Sequence, residues 1–128
     1  MNQMAVWIDH HEARIFHIDA EKADERIVDS VTHHVHRHEK AAEVKTRNHP
    51  DDEVRFFREV AHLLEGAAQV LVLGPSVTKL HFVKFAHEHN RALSDHIVGV
   101  ETADHPTDKQ IVAHVRAYFH VVTPRIGV

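Results

Sequence analysis

The chain has 128 residues, 43% hydrophobic and 27% charged, with no cysteine and a formal net charge of −4. This is globular composition at single-domain size, so one domain over residues 1–128 is expected; a disulfide framework and thiolate chemistry are excluded, and there is no global attraction to phosphate. The first residues carry no positive cluster, Asp9 cuts the apolar run behind them, and no run reaches membrane-spanning length, which predicts a cytoplasmic protein without membrane association.

Met4 to Ile18 reads as a hairpin: Met4-Ala5-Val6-Trp7-Ile8 is apolar on both faces, His10-His11-Glu12 interrupts, and Ala13 to Ile18 resumes extended. A strand apolar on both faces belongs at the centre of a sheet, with Trp7 in the core. A third, more polar strand runs from Arg26 to about Val35, and the charged stretch from Arg37 to Asn48 has no periodicity and reads as a loop. Pro50 opens a helix, with acids at its positive end and Val54, Phe57, Val60, Ala61 and Leu64 as its buried stripe; Gly66 ends it. Val70 to Leu73 is an unbroken apolar strand. Gly74 permits a turn closed to larger residues, Pro75 fixes a backbone angle and Ser76 is the expected cap of a helix reaching His89, with Leu80, Val83 and Ala86 buried and Phe82 and Phe85 alongside. His96 to Glu101 is a fifth strand. Thr107-x-x-Gln110 is a capping box for a last helix with Ile111, Val115, Tyr118 and Phe119 on its apolar stripe.

The string β-β-β-α-β-α-β-α, three antiparallel strands and then two crossovers, predicts an α/β ribonuclease H-like fold: a mixed five-stranded sheet of order 3-2-1-4-5 with helices on both faces. Strands 1, 4 and 5 then run parallel and their carboxyl ends share one edge, where such sheets place ligands. Asp9, His10 and His11 follow strand 1, Ser76 and Lys79 follow strand 4, and Asp104 and His105 follow strand 5.

The stretch Gly74-Pro75-x-x-x-Lys79-x-x-Phe82, entered from an apolar strand, resembles the strand-turn-helix of the middle domain of archaeal and eukaryotic class-1 release factors and of Pelota. The basic, histidine-bearing segment from His33 to Asn48, leading into a helix with Arg55, Phe56 and Phe57, is similar to that family's long loop and first helix. Asp104-His105-Pro106-Thr107-Asp108 adds a likeness to compact bacterial proteins of the translational machinery. The resemblance implies the ribonuclease H-like variant of translation components and a role facing the ribosome or RNA. Release factors carry a Gly-Gly-Gln tip on that loop and this chain has no such tripeptide; Gly66-Ala67-Ala68-Gln69 follows the helix instead, so release activity is not implied.

Three readings stay open. The first is a non-catalytic translation-associated module, needing no cofactor, that contacts ribosome or RNA through the crevice edge and through Arg37, Lys40, Lys45 and Arg47. The second rests on the 16 histidines: in His33-His34-Val35-His36-Arg37-His38 an extended backbone puts His34, His36 and His38 on one face, a spacing that ligates zinc or nickel and titrates in mild acid. The third is a metal-dependent hydrolase or nuclease at the Asp9, His10, Asp104, His105 edge. Asp9 and Glu65 would serve, but strand 4 ends in Gly74-Pro75 where nuclease chemistry needs an acid, and Ser76-x-x-Lys79 lacks the other motifs of serine-lysine acylases. Val28, Val31 and Val35 on an edge strand predict a homodimer through strand 3.

Overall fold

The computed structural model describes residues 3–18, 25–32 and 50–122. Five strands, β1 (Gln3–Ile8), β2 (Glu12–Ile18), β3 (Glu25–Thr32), β4 (Gln69–Gly74) and β5 (Ile97–Thr102), form one mixed sheet in the order β3-β2-β1-β4-β5. β1 pairs antiparallel with β2 and parallel with β4, and β4 pairs parallel with β5. Every residue of β1 is buried, because strands flank it on both sides and helices cover both its faces.

Alternation along β1 divides the core. Met4, Val6 and Ile8 face a cluster completed by Phe56, Phe57 and Val60 of α1 (Pro50–Leu63), Leu64 in the turn just after it, Phe82 and Phe85 of α2 (Thr78–His89) and Leu93 of α3 (Arg91–Ser94). Ala5 and Trp7 face the other side, where Ile111, Val115 and Phe119 of α4 (Asp108–Val122) close a second cluster with Phe16, Leu71 and Leu73. The short α3 between α2 and β5 was not foreseen.

The turn after β4 departs from expectation in detail. α2 begins at Thr78 rather than Ser76, and Val77 stands at its N-cap without a side-chain hydrogen bond. Leu80, expected inside, is 52% exposed, because Thr78, Lys79, Phe82, Phe85 and Ala86 face inward. The rings of Phe82 and Phe85 lie 5.5 and 5.7 Å from that of Phe57 on α1, and this aromatic contact fixes the rotation of α2. Lys79 does not reach into solvent: it is 7% exposed and its ammonium donates to the Ser76 carbonyl at 2.7 Å. Gly74 is required for closeness, since a Cβ there would lie 2.3 Å from the Ile8 carbonyl oxygen, whereas Gly66, at φ +86°, is required for its backbone angle. The capping box forms: the Thr107 amide donates to Gln110 Oε1 at 2.8 Å, and the Gln110 amide to Thr107 Oγ1 at 3.2 Å.

Candidate functional site

Asp9, where β1 ends, builds the hairpin turn. Its Oδ1 accepts the amides of His11 and Glu12 at 2.8 and 2.9 Å, and its own amide donates to the Glu12 carbonyl at 3.0 Å. Its other oxygen faces His105, whose Nε2 lies 3.8 Å away, while Asp104 Oδ1 lies 3.1 Å from His105 Nδ1. The imidazole also packs on the Trp7 indole at a centroid distance of 5.3 Å, and the indole N–H donates to the Ala103 carbonyl at 3.1 Å. The loop after β5 is thus held to the end of β1 across β4.

Of the seven crevice-edge residues read from the sequence, the structure brings Asp9, Asp104 and His105 together. His10 and His11 are exposed on the hairpin turn with their rings 4.0 Å apart, packed on one another. Ser76 and Lys79 are tied to each other within the β4–α2 turn. Arg37, Lys40, Lys45 and Arg47, like His34, His36 and His38, lie outside the described residues. Among the described residues no three histidine, aspartate, glutamate or cysteine side chains are grouped so as to hold a metal ion. Glu65 is exposed in the turn after α1 and sits 3.6 Å from His62 in the last turn of that helix.

Register supplies what the sequence reading missed. Arg14, Trp7, Leu73 and Glu101 are direct neighbours across β2, β1, β4 and β5. The row lies under α4, which engages both its ends: Arg14 donates to Asp108 at 2.6 Å, and Glu101 lies 2.5 Å from His114 Nε2. Arg14 also sits over the Trp7 ring, 4.6 Å from its centroid. Beside this row opens a groove of about 480 Å³, floored by Leu73, Ala103 and Ile111 and walled by Glu101, Asp104, His105, Gln110 and His114. The one local signal was Arg14 itself, a cation on the strand face that also carries the buried Phe16 and Ile18; the other partners are set by cross-strand register. Chemically the edge offers imidazoles paired to carboxylates around an apolar floor, an arrangement suited to binding.

No family model matches the chain, and no curated protein matches it in sequence. Solved structures do match in shape. Pelota from Thermoplasma acidophilum is 16% identical with a TM-score of 0.61 over 97% of this chain. An archaeal translation termination factor, aRF1, is 13% identical with a TM-score of 0.57 over 94%. Dom34 of S. cerevisiae, a translation termination-like factor involved in RNA quality control, is 5% identical with a TM-score of 0.53 over 94%. The chain spans 33%, 41% and 38% of the lengths of these three proteins. It folds as a domain of the release factor and Pelota type.

Proposed function

We propose that the protein is a non-catalytic, translation-associated module that docks on the ribosome through RNA contacts. One observation carries this reading: nearly the whole chain, 94% of it, superposes on 41% and 38% of two proteins whose names place them in translation termination or RNA quality control. The sequence supports the non-catalytic part, since it holds no Gly-Gly-Gln tripeptide. Contact runs through the cations Arg37, Lys40, Lys45 and Arg47, the densest positive stretch of a chain whose formal net charge is −4. The module acts as a dimer through β3, which stands at one end of the sheet. No helix among the described residues is long and apolar enough to cross a membrane, consistent with a partner in the aqueous phase.

The test is sedimentation of the purified protein with ribosomes through a sucrose gradient, followed by release assays on peptidyl-tRNA. The expected result is co-migration with ribosomal particles and no peptide release. A protein that stays at the top of the gradient, or that releases peptide, overturns the proposal.

A further inference from the structure

Among the described residues no strand pairs with the outer side of β5, at one end of the sheet, and its main chain is satisfied unevenly. The Ala103 amide donates to the Gly74 carbonyl at 2.9 Å, so residue 103 turns its backbone toward β4. Successive residues of a strand alternate, so Gly99 and Glu101 also turn toward β4, while Val100 and Thr102 turn their amides and carbonyls outward. The first half of the edge is guarded: the register shifts between Val70 and Leu71, and the Tyr118 hydroxyl donates to the Val98 carbonyl at 3.2 Å. The second half lacks the usual guards. It has no proline or lysine, Val100 is 36% exposed, and the carboxylate of Glu101 is turned onto α4, where it meets His114. At the opposite edge β3 carries Glu25, Arg26 and Asp29 in its sequence.

The groove of about 480 Å³ lies at this same half of β5. A residue paired opposite Glu101 sends its side chain to the α4 face, into the groove, and its neighbour opposite Val100 sends one to the other face. The groove offers the carboxylates of Glu101 and Asp104 over the apolar floor of Leu73 and Ile111, whereas the Val100 face offers only an aliphatic contact. Backbone pairing with alternate side-chain pockets is the pattern of recognition by strand addition.

We infer that β5 and α4 form a docking site for an extended peptide segment of a partner protein, which adds as a sixth strand beside Val100–Thr102 and places an apolar residue against Val100 and a lysine or arginine in the groove beside Glu101 and Asp104. Charge complementarity selects this occupant: the carboxylates of Glu101 and Asp104, each beside one imidazole, His114 and His105, are the groove's formally charged groups at neutral pH, and they favour a cationic side chain and disfavour a phosphate backbone. The site is separate from the basic segment assigned to RNA and does not depend on that assignment.

The experiment is panning of the folded full-length protein against a random dodecapeptide phage library, with anisotropy titration of the recovered peptides. Enriched peptides with an apolar residue next to lysine or arginine, binding at least tenfold weaker to Val100→Pro, support the inference. Proline there removes only an outward amide and is tolerated on an edge. Val100→Lys, which places a charge on the edge without touching the backbone, repeats the loss should the proline variant melt early by circular dichroism. Exchange of the peptide's cation for glutamate abolishes binding, and Glu101→Gln weakens it severalfold. No enrichment, enrichment without a cation, or binding indifferent to both Val100 variants overturns the inference. A parent dimer that Val100→Lys dissociates also overturns it, by showing that a second copy of the chain occupies the edge.

Discussion

Gly74→Ala tests how closely the β4–α2 turn is packed on β1. The added Cβ would stand 2.3 Å from the Ile8 carbonyl oxygen, where ordinary contact begins near 3.4 Å, so the strands must part by roughly 1 Å. Neither side yields easily, because the obstacle is backbone and Trp7 beside it is paired with Leu73. Overpacking of this kind costs about 1–3 kcal/mol, and a weakened ladder hydrogen bond adds about 1 kcal/mol. The expected loss of about 2–4 kcal/mol is a large share of the ~5–15 kcal/mol that holds a domain folded, and lowers the melting temperature by roughly 10 °C. Gly66 provides the contrast. Nothing lies within 4 Å of its Cβ position, and only its φ of +86° resists substitution, so Gly66→Ala costs about 1 kcal/mol and Gly66→Asn less. Urea unfolding followed by circular dichroism compares the three variants with the parent. If Gly74→Ala stays within about 0.5 kcal/mol of the parent, or costs less than Gly66→Ala, the close-approach argument is wrong.

Trp7→Phe removes the indole donor to Ala103 and part of a fully buried ring, and is expected to cost about 2 kcal/mol while raising amide exchange in residues 103–106; unchanged exchange there would show that the loop is held by other means. Thr107→Ala deletes half of the capping box and is expected to cost about 1 kcal/mol in a thermal melt, with Thr107→Ser retaining most of the stability. Pairing of β3 with its symmetry mate predicts a dimer in sedimentation velocity, and a monomer at high concentration rejects it.

Local features were legible and docked ones were not. The Thr107-x-x-Gln110 box needs only a spacing of three within one chain segment, and it forms as read. The all-apolar run of β1 marked a central strand because burial on two faces leaves no polar position. Leu80 was misplaced because Leu80, Phe82, Val83, Phe85 and Ala86 cover a wide arc of α2, and the Phe57 ring on another helix decides which part of that arc faces inward. At the crevice edge, Asp9, Asp104 and His105 were readable as residues just past strand ends. The pairs Arg14 with Asp108 and Glu101 with His114 were not, since they depend on register across four strands and on the seat of α4. Gly74 was recognised as obligatory for the wrong physical reason, the approach of Ile8 being a tertiary fact.

The central claim, docking on the ribosome through the basic segment, is tested most directly by titrating purified ribosomes with fluorescently labelled protein at a series of salt concentrations. Four cations displacing counterions give a slope of about −3 in log K against log salt, and changing Arg37, Lys40, Lys45 and Arg47 together to alanine flattens that slope and weakens binding at low salt. Absence of binding at low salt, or binding that neither salt nor the fourfold change alters, would contradict the account.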